Sequence, residues 1–162
     1  MSDETAAASA PEKQIVIQKL YVKDLSFEAP NTPAVYSQEW RPEINLNLQT
    51  KNSQVGDDTR EVVLSVTAEA KLGDKVAFIV EVHQAGVFLI KGFTPDEQAQ
   101  IIGAYCPNLL FPFAREAITD LVGKGGFPGL LLQPVNFDAL YIQQMEEMAK
   151  AKAESATTSD KH

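Results

Sequence analysis

The sequence predicts an α+β domain with an antiparallel sheet, and three patterns carry this prediction. Apolar and polar residues alternate with a period of two through much of the first 90 residues, which is typical of half-buried strands. After Thr94 the apolar spacing changes to three and four residues, which is typical of amphipathic helices. A Gly-Asp turn at 73–74 joins two alternating segments, so these strands should run antiparallel. Strands followed by helices in a chain of 162 residues favour one domain.

Four segments have strand character: 15–22, 44–49, 62–72 and about 76–90. The second alternates strictly between apolar and polar side chains, and the third returns into the fourth through the Gly-Asp turn. Within the fourth segment, Ile79 is an apolar residue on the face that otherwise carries polar side chains.

A segment without regular periodicity, 27–42, separates the first two strands. It contains three prolines, which exclude a helix or a central strand, so we expect a long crossing loop. Large aromatic side chains lie on it with no regular structure to hold them. Each ring could anchor the loop to the core or line a pocket, and one residue can do both.

The last third of the chain predicts three helices. A Thr-Pro-Asp-Glu capping box at 94–97 starts the first helix, which Cys106-Pro107 should break. A second helix should run to a stop at Gly123, before a flexible Gly-rich loop. The final helix is predicted over 137–150, with Asn136 as its N-terminal cap.

The ends of the chain contain small and polar residues without periodicity, so we expect disordered tails at 1–13 and 151–162 around one folded domain over 14–150. The longest apolar runs are far shorter than the roughly 20 residues needed to cross a bilayer. The chain has one cysteine and no basic leader followed by an apolar run. We therefore expect a cytoplasmic protein.

Patterns for catalysis or metal binding are missing from the sequence. The only histidines are His83 and His162, so no zinc-ligand spacing exists, and neither a metal nor a cofactor is expected. The acid pairs 57–58 and 146–147 suit a turn and a solvated helix better than catalysis. Cys106 should pack in the core. We expect no enzyme, and the net charge of −8 disfavours nucleic acid and anionic membranes as partners.

Three segments resemble the signature stretches of the SecB family of protein-export chaperones: YVKDLSFEAP at 21–30, GAYCPNLLFPFARE at 103–116 and PVNFDALY at 134–141. The resemblance extends from about residue 15 to 150. It implies a four-stranded antiparallel sheet with helices packed on one face. It also implies a homotetramer, a dimer of dimers with the first long helix at the dimer-dimer interface. The interface residues expected on that basis are Ile102, Tyr105 and Cys106.

The resemblance further implies a groove, formed by the crossing loop and the second helix, that accepts hydrophobic side chains of an unfolded client. Apolar contact is non-directional, so such a groove would select the unfolded state rather than a particular sequence. The residues expected to line it are Phe27, Tyr36, Trp40, Phe78, Leu110 and Tyr141.

A second surface implied by the resemblance docks the carboxyl-terminal zinc-binding segment of the SecA translocation ATPase, and the zinc belongs to that partner. Its residues here would be Asp24, Glu28, Ile79 and Glu81. The carboxylates would steer a basic partner and the isoleucine would be buried on binding. An ordinary solvated sheet face is the alternative interpretation of these residues.

The function expected from these observations is a cytoplasmic export chaperone. It would bind unfolded precursors, keep them translocation-competent without ATP and deliver them to SecA. The alternative is a non-enzymatic oligomeric adaptor or scaffold that binds one folded partner, because a hydrophobic groove and an acidic face would serve both.

Overall fold

The computed structural model describes residues 11–159 and contains one four-stranded sheet. Its strands are β1 (Gln14–Glu28), β2 (Glu43–Gly56), β3 (Thr59–Leu72) and β4 (Lys75–Lys91). Their order across the sheet is β1-β4-β3-β2, and every neighbouring pair is antiparallel. The predicted α+β class and antiparallel sheet are confirmed.

The register of the strands divides the side chains between two faces of the sheet. Ala68 of β3 pairs with Val80 of β4, and both are fully buried beneath the helices. The adjacent pair, Thr67 and Glu81, points the other way and is partly exposed. We call the first side the covered face and the side carrying Thr67 and Glu81 the open face. Successive residues of a strand alternate between these faces.

One helical stretch crosses the covered face without the break predicted at Cys106-Pro107. It comprises α1 (Pro95–Gln100), a wider π turn (Ile101–Tyr105) and α2 (Cys106–Lys124). The Cys106 N–H donates to the Ile101 carbonyl, five residues back. This wider turn absorbs the disturbance from Pro107, which lacks an N–H group and crowds the preceding turn. The predicted break is therefore wrong, whereas the capping box of Thr94 and Glu97 is confirmed.

Helix α2 packs its apolar side against β3 and β4 and closes the core. Leu110 and Ile118 have no exposed surface. The helix passes the predicted stop at Gly123 and ends at Lys124, where the Gly125 N–H donates to the Leu121 carbonyl at 2.9 Å.

Helix α3 (Phe137–Ser159) begins where predicted and ends later. The Asn136 side-chain oxygen accepts from the Ala139 N–H at 3.0 Å, which confirms the predicted cap. The helix continues through 151–159, where a tail is predicted, because Ala, Lys and Glu favour helix, and the side chains of 151–158 are exposed. The tails predicted at 1–10 and 160–162 lie outside the described residues.

Candidate functional site

Five aromatic side chains meet on the covered face near one end of the sheet: Phe27, Tyr36, Trp40, Phe78 and Phe127. The ring of Phe127 lies 5.1 Å from Phe78, 5.3 Å from Tyr36 and 5.5 Å from Trp40, measured between centroids. Phe27 stacks on Phe78 at 5.9 Å. We call these five residues the aromatic cluster. The structure thus brings together four of the six residues predicted to line a groove.

The cluster is assembled from two strands and two loops. Phe27 and Phe78 come from the adjacent strands β1 and β4. The crossing loop forms a short 3₁₀ turn, on which the Tyr36 hydroxyl donates to the Gly125 carbonyl at 2.7 Å. A Cβ atom on Gly125 would lie 2.3 Å from the Phe27 ring, so only glycine allows this approach. The tyrosine therefore anchors the crossing loop to the loop that follows α2.

A cavity of 460 Å³ opens between these two loops and is lined by Val35, Tyr36, Gln38, Trp40, Phe127 and Pro128, with Gly126. Tyr36 is 51% exposed, and Trp40 is half-buried. Phe78 has no exposed surface. Tyr36 and Trp40 can contact a bound molecule, whereas Phe78 shapes the floor and cannot contact one in this conformation.

Phe127 is the residue of the aromatic cluster that sequence reasoning missed, because its segment reads as a flexible glycine-rich loop. It is 7% exposed and contacts every other ring of the aromatic cluster. The available signal was a large aromatic residue inside an otherwise small and polar loop, which indicates a side chain that needs burial.

A second, larger groove lies elsewhere on the domain, between β2, the 95–103 segment and α3. Its volume is 720 Å³, and its apolar lining includes Leu48, Ile102, Leu140, Tyr141, Met145 and Met148. Tyr141 is therefore separated from the aromatic cluster. Leu110 lies in neither cavity, because it is fully buried in the core beside Gly86. It can support a groove but cannot contact a client here.

The three predicted interface residues differ in exposure. Tyr105 is 46% exposed and Ile102 is 8% exposed, so both present some surface. Cys106 has none, and its burial raises the pKa of the thiol to about 12. The interface prediction is therefore not supported for Cys106 in this conformation, because the core already surrounds its side chain.

The four residues predicted to dock a partner all lie on the open face. Glu28 of β1 pairs with Ile79 of β4, and Asp24 pairs with His83. Glu81 lies between Ile79 and His83 on the same face of β4, since residues two apart share a face. The register therefore places Glu28 and Glu81 next to one partly exposed isoleucine, with Asp24 further along β1 beside His83.

Glu69 belongs to the same acidic surface and was not predicted. It pairs with Ile79 from the β3 side, so Ile79 lies between Glu28 on β1 and Glu69 on β3. The Lys71 ammonium lies 3.4 Å from the Glu69 carboxylate and partly neutralises it. Only the strand register reveals this neighbour, because Glu69 and Ile79 belong to different strands.

A separate polar cluster stabilises the open face near the middle of β1. The Lys23 ammonium lies 2.7 Å from the Glu61 carboxylate, and the Tyr21 hydroxyl donates to the same carboxylate. The hydrogen bond from Lys23, followed by that from Tyr21, lowers the pKa of Glu61. Burial and the nearby carboxylate raise the pKa of Tyr21 to about 12. These pKa shifts are typical of an ion pair that stabilises the fold, here by joining β1 to β3.

Within residues 11–159, no group of three or more His, Cys, Asp or Glu side chains is arranged to hold a metal ion. Among the helices described here, none is long and apolar enough to cross a membrane.

Comparison with known proteins decides the family. The family model described as preprotein translocase subunit SecB matches residues 8–148. The chain belongs to the SecB family. A SecB protein-export protein of Nitrosococcus oceani is 53% identical over 154 residues, covering 94% of each chain. One from Methylococcus capsulatus is 55% identical over 147 residues, covering 91% of this chain and 94% of that protein.

The SecB fold is also found by structural comparison. A SecB-like chaperone of Mycobacterium tuberculosis, solved in complex with a peptide from an antitoxin, superposes with a TM-score of 0.63. The match covers 75% of this chain and 90% of that one at 15% identity. It supports the same fold for this member of the SecB family.

Proposed function

We propose that this chain is a non-enzymatic, cytoplasmic protein-export chaperone that binds unfolded precursor polypeptides and delivers them to the SecA ATPase. The observation that carries the proposal is the cavity beside Tyr36 and Trp40, in a domain of the SecB family. No cofactor is required, because the proposed activity is binding without ATP.

Client binding would rest on hydrophobic contact at the aromatic cluster. A cavity of 460 Å³ has room for a few apolar side chains, each contributing about 1.5 to 3 kcal/mol when fully buried. Tyr36 and Trp40 would contact the client, Phe127 would form the inner wall of the cavity, and Phe27 and Phe78 would support that wall. A folded protein hides its apolar side chains, so the site selects unfolded chains.

The groove beside Tyr141 offers a second place for an apolar segment of the same client. Its Met145 and Met148 are 48% and 67% exposed, and methionine has a flexible side chain that adapts to differently shaped partners. Several weak sites on one assembly hold a long chain through a high effective concentration. This argument favours an extended client over one folded partner.

SecA would dock on the open face around Ile79. Glu28, Glu69 and Glu81 surround this apolar side chain, so a basic segment would be steered by charge and held by burial of the isoleucine. Asp24 extends the acidic surface along β1. Clients bind on the covered side, so the two partners would not compete for one surface.

A homotetramer, as a dimer of dimers, is part of the proposal. In residues 11–159, β1 pairs with β4 alone and exposes Val16, Ile17 and Val22, and an apolar edge strand of this kind favours pairing with another chain. On the helical stretch, the exposed side chain of Tyr105 would contact another subunit. Light scattering should give a mass near four times the 17.7 kDa subunit.

The experiment that tests the chaperone function is the refolding of denatured precursors that lack tryptophan. The protein should delay refolding of several unrelated precursors without ATP. Binding of a precursor should also change the fluorescence emission of Trp40, because Trp40 is the only tryptophan in the mixture. Binding to a single folded protein, with no delay for any precursor, would support the adaptor alternative instead.

A matched pair of variants at Tyr36 separates anchoring from client contact. Tyr36→Phe removes the hydrogen bond to Gly125 and keeps the ring, whereas Tyr36→Ala removes both. If the ring contacts clients, Tyr36→Phe should retain precursors and Tyr36→Ala should release them faster. Equal loss of retention in both variants would mean that the tyrosine only anchors the crossing loop.

Docking is tested by reversing one charge. Glu81→Lys should weaken SecA binding by roughly tenfold, because it places a cation against a basic partner, and should leave client retention intact. Glu154→Lys, at an exposed position of α3, is the control with the same charge change. Equal effects of the two variants on SecA binding would contradict docking at the open face.

A further inference from the structure

A row of three hydrogen-bonded side chains crosses the open face inside the proposed docking surface. The Ser65 hydroxyl lies 3.1 Å from Nδ1 of His83, and Nε2 of His83 lies 2.5 Å from a carboxylate oxygen of Glu81. Ser65 and His83 are paired across β3 and β4, and Glu81 is two residues from His83 on β4. Two strands therefore hold the row in place.

For a neutral imidazole beside an ionised carboxylate, each of the two hydrogen bonds has only one possible direction. An ionised carboxylate only accepts, so Nε2 of His83 must donate to Glu81. In the neutral imidazole Nδ1 then has no proton and accepts from the Ser65 hydroxyl. Ser65 therefore donates a hydrogen bond to His83, and His83 donates one to Glu81.

We propose that Ser65 and His83 are positioning residues that orient the Glu81 carboxylate toward a basic docking partner. This inference deepens the proposed docking of SecA and rests on it. Free glutamate side chains have high rotamer freedom, which binding must remove. His83 binds one carboxylate oxygen of Glu81 before the partner arrives, and the Glu81 side chain is still 40% exposed. Affinity gained in this way comes from pre-organisation.

The surroundings of His83 favour this role over a bond that only stabilises the fold. Its other neighbour across the sheet is Asp24 of β1, another residue of the docking surface. The His83 side chain is 31% exposed, so it lies at the surface with Glu81 rather than in the core. A change at His83 should therefore act on docking more than on stability.

Three variants test the row through the affinity for purified SecA, measured by calorimetry with the full chain. His83→Phe keeps a ring without a donor and should weaken binding about fivefold to tenfold, the size expected for a hydrogen bond to a charged group at a partly exposed site. His83→Gln keeps a donor at similar reach and should restore affinity to within about twofold. Ser65→Ala should have a smaller effect, about twofold to threefold, because it removes only the bond that holds the imidazole.

The imidazole proton gives a readout that is independent of stability. The chain has two histidines, so His162→Gln leaves His83 as the only source of imidazole signals in a ¹⁵N–¹H correlation spectrum. The neutral ring should carry its proton on Nε2, and Ser65→Ala should shift the Nδ1 resonance. A proton on Nδ1 would overturn the proposal even if a His83 variant failed to fold.

The outcomes also separate this inference from the docking surface itself. Wild-type affinity in His83→Phe, with weaker binding in Glu81→Lys, would overturn the positioning role and keep the docking surface. Unchanged affinity in Glu81→Lys would overturn the docking surface and the positioning role together. Client retention should be unchanged in the His83 variants, because His83 faces away from the aromatic cluster.

Discussion

Truncation of Phe127 tests whether the aromatic cluster holds the two loops onto the domain. The ring is 7% exposed and lies within 5.5 Å of the rings of Phe78, Tyr36 and Trp40. Replacing a packed phenylalanine by alanine costs about 3 to 5 kcal/mol, which combines lost burial with the remaining cavity. Because Tyr36 is half exposed, it can partly fill the space. We therefore expect Phe127→Ala to lower the free energy of unfolding by about 3 to 4 kcal/mol.

Trp40 makes the assay specific to this region. It is the only tryptophan, and its ring centroid lies 5.5 Å from that of Phe127, so its emission reports local loss of packing. Urea unfolding should be followed by Trp40 emission and by circular dichroism at one fixed protein concentration, since an oligomer gains stability with concentration. Phe127→Leu, which keeps most of the volume, should cost less than about 1.5 kcal/mol. Leu131→Ala, at a residue 68% exposed, should cost about 0.5 kcal/mol or less.

A loss below about 1 kcal/mol in Phe127→Ala would refute this reasoning, because it would mean that the four neighbouring rings hold together without the fifth. An early change in Trp40 emission, before the change in circular dichroism, would mean that the two loops unfold separately from the sheet.

Three further predictions follow from the buried and charged groups. Cys106 should resist thiol reagents in native protein at neutral pH and react on unfolding, because burial raises its pKa to about 12 and only the thiolate reacts. Lys23→Met should cost up to about 1 kcal/mol at neutral pH. In pH-dependent unfolding that cost should vanish as pH falls through the lowered pKa of Glu61, whose protonated form no longer pairs with lysine. Gly103→Ala should destabilise the protein to heat, although alanine favours helices, because its Cβ would lie 2.5 Å from the Tyr141 ring.

The sequence predicted the strands because burial on one face imposes a period of two, and β3 shows that period from Leu64 to Leu72. It could not predict Phe127 as part of the site, because the contacts of that ring depend on loops far apart in the chain. The break predicted at Cys106-Pro107 failed for a different reason. A proline disturbs only the local hydrogen bonds, and tertiary packing of α2 on the sheet kept the helical path through a wider turn.

Two pairs of adjacent residues explain how one thin sheet provides two surfaces. Phe27 and Glu28 are neighbours on β1, and Phe78 and Ile79 are neighbours on β4. Because successive side chains of a strand point to opposite faces, the first of each pair joins the aromatic cluster and the second joins the acidic open face. A slip of one residue in the pairing would exchange these surfaces and bury Glu28 under the helices, at a large cost in free energy. The same alternation that stabilises the core therefore separates the aromatic cluster, where a client would bind, from the acidic open face, where SecA would dock.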